Sequence, residues 1–134
     1  MKRLAYILLS FSILLGCSND DDSNPEVVLS GLSGKWNLVN VNGGFVGVNH
    51  DFENGIIVWD FNETNNKVVI TNSNTDDTIE DSFPTGTYNY SILEVQGNQE
   101  LVVDNRNLGN FEISGSQFIV DENFRDGFRF TFSR

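Results

Sequence analysis

His50 is the only histidine in the chain, and Asp51 and Glu53 stand beside it. An imidazole flanked by carboxylates is the start of a general base. It needs a serine or cysteine nucleophile to act on, and no elbow motif supplies one. One histidine also cannot make a His-cluster metal site. Asp76, Asp77, Glu80 and Asp81 place four carboxylates within six residues, a density that can hold calcium. Their spacing is not that of an EF-hand loop, and no glycine is present to make its sharp turn. A solvated acidic loop is the plainer reading. The third candidate is Cys17, the only thiol. No constellation for catalysis emerges, so the chain is expected to be a binding protein without cofactor or metal. The remaining chemistry is non-covalent, carried by Asn amides and by eleven Phe, three Tyr and two Trp.

The surroundings of Cys17 explain it. Lys2 and Arg3 precede an apolar run over residues 4–15, broken only by Ser10 and Ser12. The run falls well short of the ~20 apolar residues a membrane-spanning helix needs, and it has the layout of a secretory signal. It ends in Leu14-Leu15-Gly16-Cys17, which resembles the bacterial lipobox. That resemblance implies cleavage after Gly16 and acyl chains such as palmitate on Cys17, anchoring the mature chain to a membrane. A lipidated Cys17 leaves no thiol for disulfides, thiolate catalysis or metal binding. Residues 18–26 are polar and acidic and read as a flexible tether. Asp20-Asp21-Asp22, so near the lipid site, resembles the surface-export tag of certain Gram-negative lipoproteins, which implies an outer-membrane lipoprotein facing the outside of the cell. The expected organisation is therefore a signal at 1–16, a lipidated cysteine and tether at 17–30, and one domain at 31–134.

Charge narrows the partners. The formal net charge is −11, and loss of Lys2 and Arg3 with the signal leaves six basic side chains against nineteen acidic ones. Nucleic acid and anionic lipid headgroups are poor partners for such a surface. A basic protein is a better one.

Eight runs of strand character occupy residues 35–42, 55–62, 67–72, 85–93, 99–104, 108–114, 117–121 and 127–133. Turn-forming clusters such as Asn65-Asn66, Gly97-Asn98 and Ser114-Gly115-Ser116 separate them. Tyr88, Tyr90 and Ile92 alternate with Asn89 and Ser91, and Phe128, Phe130 and Phe132 alternate with Arg129 and Thr131. Such alternation marks half-buried antiparallel strands. Ile56-Ile57-Val58-Trp59 does not alternate, which a bulge or burial beneath the first loop would explain. The pattern predicts an all-β protein, a small eight-stranded antiparallel up-and-down barrel. Closure removes exposed edges and leaves room for side chains or one small ligand.

Leu32-Ser33-Gly34-Lys35-Trp36 resembles the Gly-x-Trp opening of the lipocalins. Trp59-Asp60-Phe61, Gly86-Thr87-Tyr88 and the ending Phe130-Thr131-Phe132-Ser133-Arg134 are similar to the short lipocalin-like domains of bacterial lipoproteins. The Thr-Asp-Tyr motif of larger lipocalins is absent. The resemblance implies a calycin-type barrel with Gly34, Trp36 and Arg134 as its structural signature. Chain geometry points the same way. In a closed eight-stranded meander the last strand lies antiparallel to the first, so Arg134 is expected beside Trp36, its guanidinium over the indole, with Arg129 as the other candidate for that contact.

The two longest connections, 43–54 and 73–84, fall at the same end of this barrel, its mouth. The first combines three glycines with Phe45, Val46, Val48 and Phe52, and either folds over the mouth as a lid or caps the core. Asn40 and Asn42 share the parity of Trp36 and Leu38. One expected function is therefore binding of a small apolar or amphipathic ligand against Phe45, Phe52, Tyr88, Tyr90 and Phe128, oriented by Asn40 or Asn42. The alternative is an acidic interaction or inhibitor module whose mouth binds a basic protein such as a lysozyme. An interior filled by its own aromatics would separate the two.

Overall fold

The computed structural model describes residues 31–122 and 126–134. The expected signal, Cys17 and the acidic tether lie outside the described residues. Nine strands form one antiparallel sheet: β1 (Gly34–Gly43), β2 (Val48–Asp51), β3 (Ile57–Asn62), β4 (Lys67–Asn72), β5 (Gly86–Val95), β6 (Asn98–Val103), β7 (Arg106–Ser114), β8 (Gln117–Asp121) and β9 (Phe128–Ser133). Each of β3 to β9 pairs with its sequence neighbour, and β9 pairs back onto β1, closing the barrel. Among the described residues there is no helix. The architecture is an eight-stranded closed meander with one extra short strand, compatible with a calycin-like fold.

The extra strand has a simple origin. β9 covers one edge of β1, pairing residues from Asn37 to Gly43. β2 and β3 therefore share the other edge, β2 opposite Asn40 to Gly43 and β3 opposite Gly34 to Asn37. They run in the same direction and act as one strand broken by residues 52–56. The break is pinned by Phe52 N–H donating to Val39 O (2.9 Å) and Gly55 N–H donating to Asn37 Oδ1 (2.9 Å). It lies just before Ile57, where alternation fails in the sequence.

Local chemistry fixes the turns. Asp104 and Asn105 take φ of 49° and 64°, and Gln96 and Gly97 take 53° and 82°. Two consecutive left-handed residues give a turn whose twist matches the strands it joins, and Asn, Asp and Gly tolerate it best. A second device is the bulge in β7 opposite Leu101. Gly109 there has φ 86°, and a Cβ would collide with the Asp121 backbone. Only glycine permits that approach.

The interior is a single apolar cluster that includes Trp36, Trp59, Phe61, Phe118, Phe130 and Phe132, each at most 2% exposed. The floor is sealed by residues ahead of and within β1. Leu32 is fully buried, its carbonyl accepts from Trp36 Nε1 at 2.7 Å, and its N–H donates to Glu63 Oε1 at 3.2 Å. The Arg134 guanidinium lies 4.2 Å from the Trp36 ring centroid, and its backbone N–H donates to Ser116 O at 3.0 Å.

Candidate functional site

The mouth end is built by the β1–β2 turn (44–47), the loop 73–85, the turn 104–105 and the loop 122–127. Topology puts them together, because odd and even connections of an up-and-down barrel lie at opposite ends.

Asn40 and Asn42 do not share the face of Trp36. The β1–β9 register slips by one residue between Leu38 and Asn40, and a one-residue slip moves every later side chain to the other face. Val41 consequently faces inward and is fully buried, opposite Phe130. The two asparagines stand on the outer face, tied into a polar network. Asn40 Nδ2 donates to Asn49 Oδ1 (2.8 Å) and Asp51 Oδ1 (2.7 Å), and Asn42 Nδ2 donates to Asn40 Oδ1 (2.7 Å).

The first connection is not a lid over the mouth. Val48-Asn49-His50-Asp51 pairs with β1 as β2, so residues 44–47 are forced to the tip of a hairpin that projects beyond the ladder. Phe45 is 94% exposed and Val46 is 88% exposed. Phe52 and Phe128 pack against the core instead. Tyr88 and Tyr90 do face inward, Tyr88 half-buried and Tyr90 buried. Burial, with the charge of Glu63 adding to it, pushes the Tyr90 hydroxyl up to about 12. Tyr90 stacks edge-on against Phe61 at 5.1 Å, Tyr88 lies 5.3 Å from Phe83, and Phe128 lies 6.3 Å from Phe130.

Phe83 closes the mouth. It comes from the loop 73–85, is 8% exposed, and meets Trp59 edge-on at 5.6 Å. The Arg106 guanidinium sits 5.7 Å from its ring centroid and pairs with Glu122 at 3.3 Å. One cation thus clamps the plug and neutralises Glu122, which is itself buried at 8% exposure. The sequence does hold a signal for this. Phe83 is the one aromatic in a long acidic connection, and a ring that size seeks burial. Arg106 and Glu122 carry no comparable signal, being brought together only by the barrel.

The plug is imperfectly satisfied. Trp59 Nε1 and Ser82 Oγ are buried without a hydrogen-bond partner among the described residues, and Ser82 holds φ at 73°. The rest of the loop is held by short-range bonds. Asn74 Nδ2 donates to Asp81 Oδ2 (3.1 Å), and the Thr78 hydroxyl donates to Asp76 Oδ1 (2.6 Å). That hydroxyl, helped by the Thr78 amide and the nearby His50, holds the Asp76 carboxyl below its ordinary range.

Among the described residues, no three His, Cys, Asp or Glu side chains converge as a metal site. An open depression of about 400 Å³ lies on the outside of the barrel, walled by Asn110, Glu112, Asp121 and Arg129 of β7 to β9 and by Asn98 and Gln99 of β6. Comparison with family models, with curated proteins and with solved structures finds no match.

Proposed function

We propose that this protein is a lipid-anchored, surface-displayed interaction module that binds a basic protein through the mouth end of a lipocalin-like barrel. The observation that carries the reading is the plugged interior. Trp36, Trp59, Phe61, Phe118 and Phe132 contact one another across the barrel, and Phe83 stops the mouth. Among the described residues, these rings fill the interior that a small ligand would need. Acidic side chains meanwhile crowd the loops at that end, with Asp76, Asp77 and Asp126 exposed, where a cationic surface is attracted before contact. The lipobox-like sequence at Cys17 and the acidic run after it support the anchor and the outer-membrane address.

The test uses whole cells with and without the protein. Lysozyme, as a cationic probe, should be retained by the producing cells and released as salt is raised. Equal retention by the two strains would remove the reading.

The second reading, a small apolar ligand, draws on the plug's own defects. Trp59 Nε1, unpartnered among the described residues, and strained Ser82 lower the cost of displacing loop 73–85, and a ligand entering there would replace the Phe83 ring. An apolar molecule co-purifying stoichiometrically with the native protein would establish this reading over the first.

A further inference from the structure

The β1–β2 turn breaks a local rule and gains the fold nothing by it. Turn positions favour Gly, Asn and Asp, yet the centre of 44–47 is Phe45-Val46, and both side chains are almost wholly exposed. The turn is nevertheless held. Gly43, Gly44 and Gly47 adopt φ of 109°, 69° and 75°. Gly47 N–H donates to Gly44 O (3.1 Å), and Gly44 N–H donates to Gly127 O (2.8 Å). The Phe128 ring fills the space where a Gly44 side chain would go. The backbone is fixed while two apolar side chains are presented to the outside. A sequence that violates a local preference without a packing return marks function, and a preorganised apolar pair is the form an interface anchor takes.

The surroundings select what the pair docks into. Asp51, Asp76, Asp77 and Asp126 are exposed at this end, and Asp126 adjoins the very glycine that holds the turn. Of the arginines described there, Arg106 is engaged by Glu122 and Arg129 lies 4.0 Å from Asp121. An anionic bilayer is repelled by that rim, and a second copy would bring like charges face to face. The described chain also enters at the floor, the end opposite the tip. We infer that Phe45 and Val46 insert into an apolar recess, rimmed by lysine and arginine, on a basic partner protein. The inference rests on the interaction-module reading and specifies its anchor.

Full-length protein carrying Phe45→p-benzoylphenylalanine, or Glu94→p-benzoylphenylalanine near the floor as control, is irradiated on the cells that make it. The expected result is an adduct from position 45 alone, to an identified basic protein. Purified, that protein should bind the wild type, and Phe45→Ala should weaken binding at least about tenfold at every salt concentration, with an unchanged unfolding midpoint. Asp51→Asn with Asp126→Asn should instead flatten the salt dependence. No adduct at 45, an adduct to lipid, to a second copy or to an acidic protein, or undiminished binding by Phe45→Ala would overturn the inference. If Phe45→Ala cells retain lysozyme as the wild type does, the anchor is wrong and the module reading stands. If wild-type cells retain none, the module reading itself has failed.

Discussion

Trp36 and Arg134 stand ninety-eight positions apart in the chain, and they meet because the last strand closes against the first. Trp36→Ala empties a large buried site and should cost about 3–5 kcal/mol. Arg134→Ala should cost about 1 kcal/mol, since an exposed cation over an aromatic ring is worth little more. A double-mutant cycle in urea measures their coupling, and a value near zero would mean the contact contributes nothing. Tyr90 gives a second residue-scale test. Its hydroxyl ionises near 10 in the unfolded chain and at about 12 in the folded one. The folded state therefore holds its proton where the unfolded state has lost it. Stability from this group is complete below pH 10 and falls as pH rises toward 12. Tyr90→Phe should make the alkaline decline shallower in urea unfolding curves taken across that window.

Elements show how little sequence is needed to redirect a side chain. The β1–β9 slip beside Val39 turns Asn40 and Asn42 outward and Val41 inward, so one strand serves the core with both parities. The break between β2 and β3 turns a long first connection into a projecting hairpin. The loop 73–85 does the reverse, folding Phe83 back over the mouth. Phe83→Ala should destabilise by about 3–5 kcal/mol and open an apolar space beneath Trp59. An environment-sensitive apolar dye should then bind the variant while ignoring the wild type. A variant that stays dye-silent would mean neighbouring side chains collapse into the gap.

At the scale of the whole molecule, the proposed address and the fold rest on separate residues, so each can fail without the other. Cys17→Ser should free the protein from membranes without altering its unfolding. Mass spectrometry of the mature N-terminus is decisive, because an unmodified Cys17 would end the lipid-anchor proposal. Replacing Asp20, Asp21 and Asp22 together by Asn should leave the protein anchored but inaccessible to protease added to whole cells. Equal accessibility would dissociate the acidic run from export.

Much of the fold is legible in the sequence alone. Alternation along Tyr88-Asn89-Tyr90 and Phe128-Arg129-Phe130, with turn residues between runs, is local information, because strand period and turn chemistry depend on adjacent residues. An eight-stranded closed meander follows from it once edges must be paired, and closure brings Arg134 to Trp36. The mouth was not legible in the same way. Which face Asn40 takes depends on a bulge set by β9, distant in sequence. Whether 43–54 covers the barrel or projects from it depends on Val48 to Asp51 finding β1. The Arg106–Glu122 clamp over Phe83 exists only where three connections converge. Parity and composition are properties of the chain alone, whereas a bulge, a broken strand and a plug are decided by competition among strands for the same edges and the same interior volume.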